Sequence, residues 1–163
     1  MIKYDEIKNI IKIIEECSAV ALTFYKQEHL EISIKYDNSP VTKADLEISR
    51  IATNKLSEMF PNDKIISEED ITNLNEVDMT KYWLIDPIDG TKEFITKSGF
   101  FTVNFALISN NKPVFGIICQ PTTSSIWFND GNKAYKIKKT YNILDAKELK
   151  TKTINYNKLN MIC

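Results

Sequence analysis

At 163 residues and a formal net charge of −1, the chain can bury a core of its own, holds one domain with room for a fragment of a second, and lacks the basic excess of a polyanion binder. No apolar run is long enough to span a bilayer, and the charged start, Met1-Ile2-Lys3-Tyr4-Asp5-Glu6, is not a signal peptide. His29 is the only histidine, which excludes a histidine triad and a multi-histidine zinc site; Cys17, Cys119 and Cys163 lack metal-ligand spacing and, without a secretion signal, are expected to be reduced thiols in a cytoplasm.

The spacing predicts a helix over 5–28. Ile7, Ile10, Ile11, Ile14, Cys17, Ala21, Phe24 and Tyr25 form its apolar stripe. His29 falls at its expected end, on the surface. Ile32, Ile34 and Tyr36 alternate with polar residues as in a half-exposed strand, and Asp37-Asn38-Ser39-Pro40 reads as a turn. A second helix opens at Val41-Thr42-Lys43-Ala44-Asp45 and runs to about Met59, where Pro61 stops it. Thr42 and Asp45 have the spacing of a capping box, with Asp in place of Glu. A carboxylate in a first helical turn can also point off the helix end towards a site, so both readings of Asp45 stay open.

Lys64 to Ser67 reads as a brief strand that runs into Glu68-Glu69-Asp70, and residues 71–80 read as a polar loop. Three acids after a strand are ordinarily a solvated loop. Yet a strand ending in Glu68, beside another ending in Asp86, would put both carboxylates at one sheet edge. That second strand is Trp83 to Ile85, and Pro87 is expected to end its ladder. Asp89, Gly90 and Thr91 follow. The bland reading of Asp86-Pro87-Ile88-Asp89-Gly90 is a turn with solvated aspartates. The alternative is a hard anionic pocket suited to Mg²⁺, beside a short helix from Thr91 whose free N–H groups attract an anion.

After Phe94 the pattern changes to antiparallel strands: 101–109, 113–120, 124–128 and 133–138, joined by short polar turns. The predicted fold class is α+β, two long helices packed on a largely antiparallel sheet. Residues 140–158 give little signal, and Leu159, Met161 and Ile162 hint at a further strand. The expected division is a domain over 1–139 and a linker with the first strand of a second domain over 140–163.

Five segments in order carry a resemblance: Ser39-Pro40-Val41-Thr42-Lys43-Ala44-Asp45, Ser67-Glu68-Glu69-Asp70, Trp83 to Phe94, Phe101 to Ile108, and Lys112-Pro113-Val114-Phe115-Gly116. This set resembles the inositol monophosphatase superfamily of Mg²⁺-dependent, Li⁺-sensitive phosphatases. Within it, Thr91-Lys92-Glu93-Phe94 and the Phe101–Ile108 strand look most like the CysQ-type 3'(2'),5'-bisphosphate nucleotidases. The resemblance implies the amino-terminal half of an αβαβα fold, and two or three Mg²⁺ ions in the family's site.

By that resemblance Glu68 would hold the first Mg²⁺ and its water, Asp86 would bridge two ions, the Ile88 carbonyl would serve the first and Asp89 the second. Asp45 and Thr91 would act as the catalytic pair that polarises the attacking water. Substrate phosphate would lie against Glu68, Ile88, Asp89, Gly90 and Thr91. The implied substrate is adenosine 3',5'-bisphosphate, with AMP as product; inositol or sugar phosphates are the alternative. The implied location is cytoplasmic, or peripheral at the inner membrane.

The family continues into a second α/β domain with a Trp-Asp-x-Ala-Ala motif, which this sequence lacks. The expectation is therefore a truncated gene product, one piece of a split gene, or an engineered domain. Alone it would be impaired or inactive, holding its second Mg²⁺ weakly. It would self-associate, or need a partner chain that supplies the missing domain.

Overall fold

The computed structural model describes residues 2–34, 40–69 and 80–151. Helix α1 spans Tyr4–Tyr25 and helix α2 spans Lys43–Met59. The apolar stripe of α1 is buried at Ile7, Ile10, Ile11, Ile14, Cys17 and Ala21; that of α2 is buried at Ala44, Ile48, Ala52 and Leu56. Glu6 closes the start of α1, its Oε2 accepting from the Lys3 amide at 2.6 Å. The helix ends at Tyr25, three residues before the predicted end. There the Gln27 amide turns back to the Phe24 carbonyl at 3.0 Å, and the Lys97 ammonium caps the Tyr25 carbonyl. His29 lies beyond the helix on the surface.

Strand β1 (Ile32–Ile34) pairs antiparallel with β2 (Pro40–Thr42). The sequence assigns Pro40 to a turn and Val41 to the opening of the second helix; both lie in this strand instead. Ile32 pairs with Thr42 and Ile34 with Pro40, so the ladder holds the chain extended until the Thr42 cap turns it. The predicted strand position Tyr36, the turn residues 37–39, the loop 71–79 and the strand at Leu159, Met161 and Ile162 lie outside the described residues.

Among the described residues the main sheet has seven strands in sequence order. They are β3 (Lys64–Ser67), β4 (Lys81–Asp89), β5 (Thr102–Ser109), β6 (Lys112–Gln120), β7 (Ser125–Asn129), β8 (Ala134–Lys138) and β9 (Lys147–Leu149). Among the described strands of this sheet only β3 and β4 run parallel; every other neighbouring pair is antiparallel. Short connections dictate this from β5 to β8, because a tight turn can join only antiparallel neighbours. A short helix, α3 (Thr91–Ile95), leaves the end of β4. The fold is α+β, with two long helices on a mostly antiparallel sheet.

The sheet alternates. Trp83, Ile85, Val103, Phe105, Leu107, Phe115, Ile117, Ile126 and Ile137 are buried in one core with α1 and α2. The intervening positions Leu84, Ala106, Ile118 and Trp127 are more open, with Leu84 40% and Ile118 45% exposed. Together with Asp86, Asn104 and Gly116 they line a cavity of about 540 Å³.

Strand β4 does not end at Asp86. It continues through Pro87 to Asp89, with a register shift: Asp86 pairs with Asn104 and Asp89 with Thr102. Two residues of β4 stand against one of β5, which is a bulge. Pro87 lies in the bulge, where its missing N–H removes no regular ladder bond.

Candidate functional site

Strand β3 ends beside the middle of β4. Ser67 pairs with Ile85 in the parallel β3–β4 ladder. Just past this pair come Glu68, in the turn that follows β3, and Asp86, within β4. The floor is tied to α2 by a buried hydrogen bond between the Ser49 and Ser67 hydroxyls at 2.7 Å. The Glu69 amide donates to Ser67 Oγ at 3.4 Å, which turns the chain after β3.

Beyond the bulge the chain reverses at Asp89-Gly90-Thr91. Gly90 has φ +89°, and a Cβ there would stand 3.0 Å from the Phe100 carbonyl oxygen. Both facts demand glycine. Gly90 is the N-cap of α3, and its carbonyl accepts from the Phe94 amide at 2.9 Å. The Thr91 hydroxyl donates to the Ile88 carbonyl at 3.1 Å. This bond ties the start of α3 to the last turn of β4.

Asp45 is 1% exposed. Its Oδ2 accepts from the Thr42 amide at 2.8 Å and from the Thr42 hydroxyl at 2.6 Å, while Thr42 Oγ1 accepts from the Ala44 amide at 3.2 Å. The capping box read from the sequence is therefore formed. Strand β2, which ends at Thr42, packs against α3. The capped end of α2 is thus brought to the side of the sheet from which Thr91 departs.

One residue of this region escapes a sequence reading. Asn104 faces Asp86 across the β4–β5 ladder, and its Nδ2 donates to Asp89 Oδ2 at 3.1 Å. Its Oδ1 is buried and accepts no hydrogen bond among the described residues. The only local signal is its position: an amide among the outward residues Thr102, Ala106 and Ile108 of an apolar strand.

The donor chemistry here is hard oxygen: the Glu68, Asp86 and Asp89 carboxylates and the Ile88 carbonyl. The buried thiols Cys17 and Cys119 lie in the helix-covered core. Oxygen donors of this kind fit Mg²⁺, which keeps several of its own waters. Among the described residues no three acidic, histidine or cysteine side chains are placed to hold an ion by themselves. An ion here would rest on few protein ligands at a time, with water filling the rest of its shell.

Residues 3–158 match the family model described as the inositol monophosphatase family. The 3'(2'),5'-bisphosphate nucleotidase CysQ of Haemophilus influenzae is 36% identical over 126 residues, 76% of this chain and 47% of that protein. Among solved structures, CysQ from Bacteroides thetaiotaomicron, a bacterial member of the inositol monophosphatase family, has a TM-score of 0.70 at 26% identity, over 91% of this chain and 60% of that one. An IMPase/NADP phosphatase complexed with Mg²⁺ and phosphate has a TM-score of 0.69 at 20% identity, over 79% of this chain and 49% of that one. That last likeness shows the fold alone. The chain spans about half the length of the curated relatives it matches.

Proposed function

Because the chain belongs to the inositol monophosphatase family, we propose that it carries the metal- and phosphate-binding half of a Mg²⁺-dependent phosphatase. The proposed substrate is adenosine 3',5'-bisphosphate, cleaved to AMP and phosphate. The similar CysQ proteins bear the name 3'(2'),5'-bisphosphate nucleotidase, and that name supports this substrate over inositol phosphates. The observation that supports the reading is the β3–β4 register, which pairs Ser67 with Ile85 just before Glu68 and Asp86, with Asp89 at the end of β4 and Gly90 and Thr91 following it.

In this reading Glu68, Asp86, Asp89 and the Ile88 carbonyl hold Mg²⁺, in two or three sites. When bound, the metal lowers the pKa of water and neutralises charge on the attacking and leaving oxygens. The chain's own part is orientation. Thr91 keeps its proton on the Ile88 carbonyl, which leaves its oxygen lone pairs to accept from a water. Asp45, held by Thr42, supplies a fixed carboxyl group on the same side. The amides near Gly90 and Thr91 give the substrate phosphate its N–H donors.

A second reading is favoured by one observation. The outer sheet face, with Leu84 and Ile118 exposed beside Ala106 and Trp127, is more apolar than a solvated face needs to be. In this reading the chain works only when another chain, or a second copy, covers that face. Alone it would bind metal and phosphate weakly and turn over little.

Phosphate release from adenosine 3',5'-bisphosphate tests both readings, with inositol 1-phosphate as comparison substrate. It is run on this chain alone and with a chain supplying the second half. Release that needs Mg²⁺ and stops in EDTA supports the phosphatase. Release only with the added chain selects the second reading. No release in either arm overturns the function.

A further inference from the structure

Asn104 occupies a position that connects the two aspartates of the bulge. It stands directly opposite Asp86 in the ladder, and it donates to Asp89 one bulge further along. The bulge matters here. Without it, residue 89 would lie on the opposite sheet face from residue 86, because side chains alternate. The extra residue of β4 re-aims the chain so that Asp89 comes within 3.1 Å of the Asn104 amide.

The direction of the amide is fixed by chemistry. An ionised carboxylate only accepts, so the NH₂ end must face Asp89 and the oxygen end must face inward. The bond occupies Asp89 Oδ2 and leaves Oδ1 for another partner. Groups that hold a ligating carboxylate in this way set its orientation and tune its affinity for the ion. Asp89 is an exposed residue in a tight turn, and without such a hold its carboxylate would sample several rotamers.

We propose that Asn104 is a positioning residue of the metal site, which orients the Asp89 carboxylate through its side-chain amide; this rests on the reading of Asp89 as a metal ligand. Asn104 touches neither ion nor substrate in this role. It acts through Asp89, from a neighbouring strand whose register is fixed by the core residues Val103 and Phe105.

Mn²⁺ serves as the probe, with its free concentration read by electron paramagnetic resonance on the whole chain. Two variants remove the amide: Asn104→Ala, and Asn104→Leu, which keeps the shape and suits the apolar neighbours. Both are expected to bind Mn²⁺ about tenfold more weakly or worse, with the metal-free melting temperature unchanged. Asp89→Ala is expected to weaken Mn²⁺ binding and, in the metal-free protein, to move the Asn104 side-chain NH₂ resonances. Unchanged affinity in both Asn104 variants, or unmoved NH₂ resonances, overturns the positioning role alone. A drop in affinity that tracks a drop in melting temperature also overturns it, because the role is then merely structural. If Asp89→Ala leaves Mn²⁺ affinity intact, or the parent chain binds none, the assignment of Asp89 as a ligand falls and this proposal with it.

Discussion

Asp45 Oδ2 accepts two hydrogen bonds from one residue, the Thr42 amide at 2.8 Å and the Thr42 hydroxyl at 2.6 Å. The same carboxyl group is thus a helix cap and a buried polar group near the candidate site. Thr42→Ala removes the hydroxyl that receives the Ala44 amide and donates to Asp45. It is expected to cost about 1–2 kcal/mol of stability, read as a lower urea midpoint at unchanged slope. An unchanged midpoint would show that the box contributes nothing to the fold.

Gly90 gives a second stability test. Gly90→Ala forces a side chain into the left-handed region and presses its Cβ to 3.0 Å from the Phe100 carbonyl. The strain alone is expected to cost roughly 1–2 kcal/mol, and the crowding adds to it. At this chain length that is a fall of about 2–8 °C in melting temperature. Calorimetry measures it, and a variant that melts with the parent would mean that the turn relaxes freely.

Burial pushes the Cys17 thiol up to about 12, with the nearby Glu16 carboxylate adding to the shift. The unfolded thiol titrates near 9.0. A raised folded value means that the native state holds its proton longer. The stabilisation is therefore fully present below about pH 9 and is lost as pH climbs from 9 towards 12. Urea midpoints are expected to decline across that window more steeply in the parent than in Cys17→Ala. At pH 8 a thiol reagent is expected to spare Cys17 until the chain unfolds.

Both helices and the antiparallel strands were legible because their signals are local. Periodicity marks α1 and α2, and short polar turns fix the hairpins from Phe101 to Lys138. The parts that were not legible depend on distant partners. Strand β2 exists because Val41 pairs with Ser33, and no alternation of three residues announces that. The extension of β4 through Pro87 depends on a bulge whose partner strand is β5. The same holds at the site. Glu68, Asp86, Asp89 and Gly90 are proposed as site residues on the local signal of acids and glycine near strand ends. The hydrogen bond from Asn104 to Asp89 has no such signal, since it follows from the β4–β5 register.

Thr91 separates orientation from ligation. Its hydroxyl rests on the Ile88 carbonyl and is assigned no ion. In whichever form turns over, Thr91→Ala is expected to lower turnover by roughly 100-fold while Mn²⁺ affinity stays within about twofold of the parent, a difference too small to reflect a lost ligand. Phosphate-release rates and Mn²⁺ titration are compared on the same samples. Equal losses in both would make Thr91 part of the metal shell.

Whether the paired strand ends form a cation site is tested most directly by calorimetric titration of the chain with Mg²⁺, beside Asp86→Asn. That substitution keeps the shape of the side chain and replaces its carboxyl group, opposite Asn104. The predicted result is weak but saturable Mg²⁺ binding by the parent chain that disappears in Asp86→Asn. Binding of equal strength in both proteins would contradict the site.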